Sequence, residues 1–124
     1  MNTIFVVDDN STNLLLADEL LSDDYEVITM ASVPKMFELI EKITPDLILL
    51  DIMMPDVSGF DALEQLKADI RYKEIPVIFL TSKTDEAAET KGFEMGIADF
   101  ITKPFFAPVL LSRIKSILQS KSAD

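Results

Sequence analysis

The stretch "DLILLDIMMPD" at residues 46–56 joins the most apolar run of the chain to a carboxylate. The four aliphatic residues from Leu47 to Leu50 are typical of a strand that is buried on both faces, as in a parallel sheet. Asp51 follows them directly, and more apolar residues follow Asp51. A charged side chain at the end of a buried strand is costly unless other groups pair with it. We therefore expect the fold to place other charged or polar groups beside Asp51.

Four more short apolar runs occur along the chain, separated by segments in which apolar residues recur at helical spacing. Several runs are rich in Val, Ile or Phe, which favours strands, and the spacing in the longer segments favours amphipathic helices. The predicted strands are 3–8, 25–30, 46–51, 75–82 and 98–102. The predicted helices are 11–22, 33–43, 58–69, 84–95 and 107–119.

Strict alternation of strands and helices with short connections predicts a parallel sheet covered by helices on both faces. We expect an α/β fold, a doubly wound (βα)5 three-layer sandwich of flavodoxin-like type with strand order 2-1-3-4-5. The 124 residues fit one domain, 1–124. Residues 119–124, "QSKSAD", are predicted to form a tail or a truncated linker.

Composition excludes several classes of function. The net charge of −11, from 22 acidic and 11 basic residues, argues against nucleic-acid binding by this domain alone. Cysteine and histidine are absent, so thiolate and imidazole ligands for a metal are not available. The N-terminus does not resemble a secretion signal, and no apolar run reaches the ~20 residues of a membrane span. We therefore expect a cytoplasmic protein without a membrane anchor.

Polar side chains stand at the ends of four predicted strands. Ligands bind at the carboxyl edge of an open parallel sheet, so these side chains are expected to converge there. Any one of them could serve only to end a strand or begin a helix. Several such side chains at the same edge of one sheet favour a functional site. Its members are Asp8 and Asp9 after strand 1, Asp51 in strand 3, Thr81 in strand 4 and Lys103 after strand 5.

Three carboxylates at one place require compensation. Two of them ~4 Å apart repel by about 4 kcal/mol at an effective dielectric constant near 20. Either their pKa values rise or a cation binds, and oxygen ligands favour Mg²⁺, with Mn²⁺ close behind. Carboxylates, Mg²⁺ and a lysine together suit phosphate chemistry. No glycine-rich nucleotide-binding loop is present, which argues against a bound nucleotide. The remaining possibility is an aspartate that itself accepts the phosphate.

The chain resembles the receiver domain of two-component response regulators along essentially its whole length. The resemblance is carried, in order, by "VVDDN", "DLILLDIMMPDVSGFDALEQLK", "VIFLTSK" and "GIADFITKPF". It implies that Asp51 accepts a phosphoryl group from a histidine of a partner histidine kinase or histidine phosphotransfer protein. It also implies that Asp8, Asp9, Asp51 and the backbone carbonyl of Met53 hold Mg²⁺.

The same resemblance implies a switch. Thr81 would bond the phosphoryl oxygens and Lys103 would pair with them, while Phe100 would rotate as Thr81 turns inward. The surface formed by 84–95, 98–102 and 107–119 would then change, and a partner or a second copy of the chain would read it. A receiver of this kind promotes only its own phosphorylation and dephosphorylation, so we do not expect an enzyme.

The sequence leaves two alternatives open. A Mg²⁺-dependent phosphatase would need a second general acid or base close to its nucleophile, and the sequence offers only Asp56, five residues after Asp51 and beyond a proline. A pseudo-receiver would bind its partner without phosphorylation. The presence of all five site residues disfavours it.

Overall fold

The structure is a computed structural model that describes residues 1–54, 57–81, 86–103 and 106–122, with residues 121 and 122 described by backbone alone. Strands and helices alternate strictly along these residues. The strands are β1 Thr3–Val7, β2 Glu26–Met30, β3 Leu47–Asp51, β4 Val77–Thr81 and β5 Asp99–Thr102. The helices are α1 Ser11–Leu21, α2 Val33–Ile40, α3 Gly59–Ala68, α4 Glu86–Met95 and α5 Ala107–Ser122.

The strands form one parallel sheet in the order β2-β1-β3-β4-β5. This order confirms the predicted flavodoxin-like topology. The chain runs from β1 outward to β2 and then returns to the other side of β1 for β3. The order of the strands therefore reverses between β1 and β3, and a cleft forms at the carboxyl edge of a sheet at such a point.

Alternate residues of the central strands face opposite layers of helices, as the period of two in a strand requires. α1 and α5 cover one face, and α2, α3 and α4 cover the other. The strand residues on the α1 and α5 side are Ile4, Val6, Leu47, Leu49, Ile78 and Leu80. Those on the opposite side are Phe5, Val7, Ile48, Leu50, Val77 and Phe79. The apolar run 47–50 is thus buried on both faces, as predicted.

Polar caps begin three of the helices directly after the carboxyl edge of the sheet. Asn10, Ser32 and Ser58 each accept hydrogen bonds from backbone N–H groups of the first helical turn. Such caps satisfy donors that have no partner within the helix. The caps before α1 and α3 fix the chain close to the ends of β1 and β3.

The predicted helix 33–43 is three residues too long at its end. α2 ends at Ile40, and residues 41–42 form a turn. Pro45 disfavours helical backbone at the residue before it, and β3 begins soon afterwards. The chain therefore leaves the helix early.

The predicted helix 107–119 is three residues too short. α5 continues to Ser122, so residues 119–122, which we expected to lie in a tail or linker, are helical. They include neither glycine nor proline, and glutamine and lysine are good helix formers.

The predicted strands match the observed ones to within two residues at each described end. Ser82, the first two residues of the predicted helix 84–95, and residues 123–124 lie outside the described residues. Among the helices that the structure describes, none is both long enough and apolar enough to cross a membrane.

Candidate functional site

The carboxylates predicted at the strand ends do converge. Asp8 follows β1 and Asp51 ends β3, which are adjacent in the sheet. Asp8, Asp9 and Asp51 each place a carboxylate oxygen within 4.8 Å of the others. Asp8 and Asp51 are buried, whereas Asp9 is exposed to solvent. The reversal of strand order brings the three acids together although residues 10–50 separate them in the chain.

Among the described residues, Lys103 supplies the positive charge that faces these acids. Its Nζ donates to Oδ2 of Asp8 at 3.0 Å and lies 3.2 Å from Oδ2 of Asp51. Burial alone lowers the pKa of Lys103, but the bonds to the two carboxylates outweigh it and raise that pKa above its usual value. One ammonium thus bridges the two buried acids. With all three acids ionised, the four groups retain a net charge of −2.

The backbone around Lys103 is tied to the end of β4. The N–H of Lys103 donates to the carbonyl of Thr81 at 2.6 Å, and Thr81 is paired with Thr102 in the parallel register. Lys103 directly follows β5, and this hydrogen bond holds its backbone against the end of β4. A backbone anchored directly beside the sheet restricts where the lysine side chain can lie, which suits a site that requires fixed charges.

Asp51 is held in a fixed orientation and has an altered proton affinity. Its Oδ1 accepts a hydrogen bond from the backbone N–H of Met53 at 3.1 Å, and its Oδ2 faces Lys103. Burial raises the pKa of Asp51 to about 6, Asp8 adds to the rise, and the bonds from Met53 and Lys103 oppose it. The carboxylate is mostly ionised at neutral pH, so it is available as a nucleophile or a ligand.

Two asparagines of the α1 N-terminus contact Asp8, and the sequence analysis missed both. The backbone N–H of Asn10 donates to Oδ1 of Asp8 at 2.9 Å. The side-chain amide of Asn13 donates to Oδ2 of Asp8 at 3.2 Å. Asn10 could have been found as a helix cap directly after the acidic pair. No sequence pattern around Asn13 marks it as a site residue, because only the path of the first helical turn brings its side chain back to Asp8.

These groups line an open cleft of about 400 Å³. Its lining provides carboxylate oxygens and the side-chain amides of two asparagines but neither thiolate nor imidazole, and Mg²⁺ prefers oxygen ligands. The close approach of three carboxylate oxygens therefore fits a hard divalent cation. The lining residues are Asp8, Asp9, Asn10, Asn13, Asp51, Met53 and Lys103.

Met53 lies at the mouth of this cleft. Met53 is 70% exposed, and its backbone N–H donates a hydrogen bond to the Asp51 carboxylate. Its position places its backbone at the cleft and its side chain at the entrance.

The two predicted switch residues lie outside the cleft lining. Thr81 is buried at the end of β4. Phe100 is half-buried on β5, paired with Phe79 in the register, and lines a second groove of about 330 Å³. Phe106 and Val109 contribute exposed apolar surface to this groove. The groove opens on the β5 and α5 surface.

An ion pair joins β5 to α5 beside this groove. Nη1 of Arg113 lies 2.9 Å from Oδ1 and 2.8 Å from Oδ2 of Asp99. The pair raises the pKa of Arg113 above its usual value. The Arg113 side chain is half exposed, so the pair is a surface contact between α5 and the edge strand.

Comparison with known proteins agrees with this geometry. Residues 4–115 match the family described as the response regulator receiver domain. A Vibrio cholerae protein named "Probable cyclic di-GMP phosphodiesterase" is 38% identical over 119 residues, which are 96% of this chain and 27% of that protein. The chain spans 8% of the "Hybrid signal transduction histidine kinase D" of Dictyostelium discoideum and 55% of the "Transcriptional regulatory protein SpaR" of Bacillus subtilis, so it corresponds to only part of the length of these relatives.

Solved structures share the fold. The CheY-like response regulator receiver domain protein from Methanospirillum hungatei superimposes with a TM-score of 0.91 at 26% identity, covering 99% of this chain and 98% of that chain. The BeF3-activated DrrB receiver domain superimposes with a TM-score of 0.87 at 34% identity, covering 96% of this chain and 98% of that chain. With its strand order, its acidic cluster and a family match over residues 4–115, this chain belongs to the response regulator receiver domain family.

Proposed function

We propose that the domain receives a phosphoryl group on Asp51 from a phosphohistidine of a partner histidine kinase or phosphotransfer protein. The observation that carries the proposal is the pairing of buried Asp51 with Lys103 beside two further acids at an open cleft. A structural ion pair alone would not need three acids that compete for one ammonium. Phosphate transfer does need both a nucleophile and fixed positive charge.

In the proposed reaction, an ionised oxygen of Asp51 attacks the phosphorus of the partner's phosphohistidine. The new oxygen–phosphorus bond forms as the nitrogen–phosphorus bond breaks, and the electron pair of that bond stays on the departing imidazole. The Met53 N–H, 3.1 Å from Oδ1 of Asp51, orients the carboxylate. Lys103 shifts from bridging two carboxylates to pairing with the phosphoryl oxygens.

Asp8, Asp9, Asp51 and the backbone carbonyl of Met53 would hold Mg²⁺, or Mn²⁺ in its place. When bound, the ion neutralises charge on the transferring phosphoryl group. The three acids supply only hard oxygen donors, and their oxygens lie within 4.8 Å of one another. The structure of the similar DrrB receiver domain is described as BeF3-activated, which supports an acyl-phosphate state in this family.

Phosphorylation would add about −1.5 to −2 charges and three acceptor oxygens at Asp51. Thr81 would donate its hydroxyl to these oxygens, and Phe100 would turn towards the space that Thr81 leaves. The α4, β5 and α5 surface would then change its shape for a partner or for a second copy of the chain. Phe100 lies on β5, next to β4, which ends in Thr81, and this neighbourhood supports the coupling.

In this proposed role, residues 1–124 form one receiver domain of a cytoplasmic signalling protein, and the domain binds a protein partner and not nucleic acid. Catalysis by the domain is limited to its own phosphorylation and dephosphorylation. Any output activity belongs to other parts of such proteins or to separate partners.

The test is to incubate the protein with a small-molecule phosphodonor and to measure the mass of the intact chain. We expect the mass to rise by one phosphoryl group with Mg²⁺ and to stay unchanged with a chelator. The Asp51→Asn variant should gain no mass. A phosphoryl adduct on that variant, or one that forms equally well without the cation, would contradict the proposal.

Asp46→Asn is the matched control. Asp46 immediately precedes β3, where its Oδ2 accepts the N–H of Thr3 at 2.7 Å, so it lies at the opposite edge of the sheet from Asp51. This variant should be phosphorylated as the wild type is. Turnover of a phosphate ester in many cycles would instead favour the phosphatase alternative.

A further inference from the structure

The carboxylate of Asp8 is the most completely enclosed group of the site. Its exposed fraction is 0%, and three donors contact its two oxygens. Oδ1 accepts the N–H of Asn10, and Oδ2 accepts both Nζ of Lys103 and Nδ2 of Asn13. A buried carboxylate with this many fixed partners has little freedom to turn.

The three donors differ in what else they do. Lys103 also contacts Asp51 at 3.2 Å, and in the proposed function it moves to the phosphoryl group. Asn13 belongs to α1, whose first turn is capped by the side chain of Asn10. The amide of Asn13 therefore stays beside Asp8 when the ammonium of Lys103 leaves.

We propose that Asn13 is a positioning residue for the divalent cation: its amide holds Oδ2 of Asp8 in the orientation that the cation requires. The inference rests on the proposed function, because it assumes that Asp8 is a ligand. Outer groups that orient metal ligands commonly change metal affinity by about 10- to 100-fold when they are removed.

The geometry of Mg²⁺ makes the inference specific. Mg²⁺ demands nearly ideal octahedral ligands at about 2.0–2.1 Å, whereas Ca²⁺ accepts flexible geometry at about 2.3–2.6 Å. A carboxylate that can turn should therefore hinder Mg²⁺ more than Ca²⁺. A residue that only stabilises α1 would change neither affinity, and a residue that acts only through charge would change both together.

The experiment compares Mg²⁺ and Ca²⁺ binding by calorimetry in wild type and in the Asn13→Leu variant, which has nearly the same size but no donor. We expect the dissociation constant for Mg²⁺ to rise about 10-fold and that for Ca²⁺ to rise clearly less. Asn13→Ser, whose hydroxyl is too short to replace the amide, should show the same selective loss, so the test does not depend on one variant folding.

Ala17→Gly is the control for lost stability. Ala17 is buried on α1, away from the cleft lining, and glycine in a helix interior weakens the helix. Its thermal midpoint should fall while both dissociation constants stay as in wild type. In wild-type protein, the side-chain amide resonances of Asn13 should shift as Mg²⁺ is added.

Several outcomes would overturn the inference. Unchanged Mg²⁺ affinity in both Asn13 variants would do so, as would equal losses for Mg²⁺ and Ca²⁺. If the wild type binds Mg²⁺ and is phosphorylated at Asp51 while the Asn13 variants match it, only the role of Asn13 fails. If the wild type binds no divalent cation, the proposed metal site fails as well.

Discussion

The ammonium of Lys103 lies 3.0 Å from Oδ2 of Asp8, although 95 positions of sequence separate the two residues. Asp8 is fully buried and the Lys103 side chain is only 12% exposed. The same ammonium lies 3.2 Å from Asp51. Lys103 therefore acts as an internal counter-cation for two buried acids that would otherwise repel each other.

Removal of this ammonium should destabilise the metal-free protein. The Lys103→Met variant leaves two buried carboxylates without their cation, and breaking a buried ion pair typically costs about 3 to 5 kcal/mol. We expect the free energy of unfolding, measured with urea in a chelator, to fall by about 2 to 4 kcal/mol at neutral pH. Millimolar Mg²⁺ should restore part of this loss.

Lys35→Met is the control for that measurement. Lys35 pairs with Glu38 at 3.4 Å on the surface of α2, where both side chains are more than half exposed. Exposed pairs of this kind contribute about 0 to 1 kcal/mol. An equal loss in both variants would show that Lys103 is not a special counter-cation.

The raised pKa of Asp51, about 6 against an ordinary 3.8, predicts a pH-dependent stability of the metal-free protein. The folded state binds a proton at Asp51 more tightly than the unfolded chain does. The stability that this proton contributes is complete below about pH 4 and is lost as the pH rises through about 6.

Asp51→Asn carries no titrating acid and should therefore be more stable than wild type at pH 8. The expected difference is about 1 to 3 kcal/mol, since one pKa unit corresponds to about 1.4 kcal/mol. The difference should disappear near pH 4. Urea unfolding in a chelator between these pH values measures it, and a difference that is constant with pH would contradict the assignment of the titration to Asp51.

Gly59 should not tolerate a side chain. A Cβ atom there would lie 2.8 Å from Cα of Ile52 and 2.9 Å from the carbonyl oxygen of Asp51, and both are backbone atoms that cannot move aside alone. We expect Gly59→Ala to lower the free energy of unfolding by about 1 to 3 kcal/mol, as overpacking does. It should also weaken phosphorylation, because the displaced backbone carries Asp51.

Gly92→Ala provides the comparison. Its Cβ would meet the far end of the Ile97 side chain at 2.7 Å and the ring of Phe79 at 3.2 Å. Side-chain atoms can shift, and alanine favours the helix by about 1 kcal/mol. Chemical denaturation should therefore show a smaller loss for Gly92→Ala than for Gly59→Ala, and phosphorylation should be retained.

Lys91 should attach α4 to α3 through an aromatic ring. Its Nζ lies 4.4 Å from the ring centroid of Phe60, and that ring packs edge to face against Phe79 with centroids 5.2 Å apart. Gly92 is buried and Met95 packs against the core, so the contact of Lys91 with Phe60 adds to the apolar packing of α4.

A double-mutant cycle of Lys91→Met and Phe60→Leu should yield a coupling energy of about 0.5 to 1 kcal/mol, the range for exposed cation–π pairs. Thermal and urea unfolding of the four proteins provide the value. Additive losses would show that the ammonium and the ring do not interact. Glu94→Gln, on the same helix, should leave stability nearly unchanged.

The sequence by itself determined the scaffold of this protein. Apolar runs such as 47–50 can only be buried on both faces, and helical spacing between the runs requires crossovers, so a parallel sheet with helices on both sides follows from local patterns. The same patterns place Asp8, Asp51 and Lys103 at strand ends, which was enough to predict a site. The predicted ends of the helices were less accurate. α2 ends early because the chain must extend into β3, and α5 continues to Ser122 because no glycine or proline ends it.

The tertiary structure alone decided which atoms meet. The pairing of Lys103 with Asp8 depends on strands that come together from distant parts of the chain, and a sequence pattern contains no such distances. Asn13 joined the site only through the path of the first turn of α1. Thr81 and Phe100 proved to lie beside the cleft rather than in its lining. Local preference and burial set the elements, whereas contacts between them set the chemistry, because side-chain interactions depend on distances of a few ångströms.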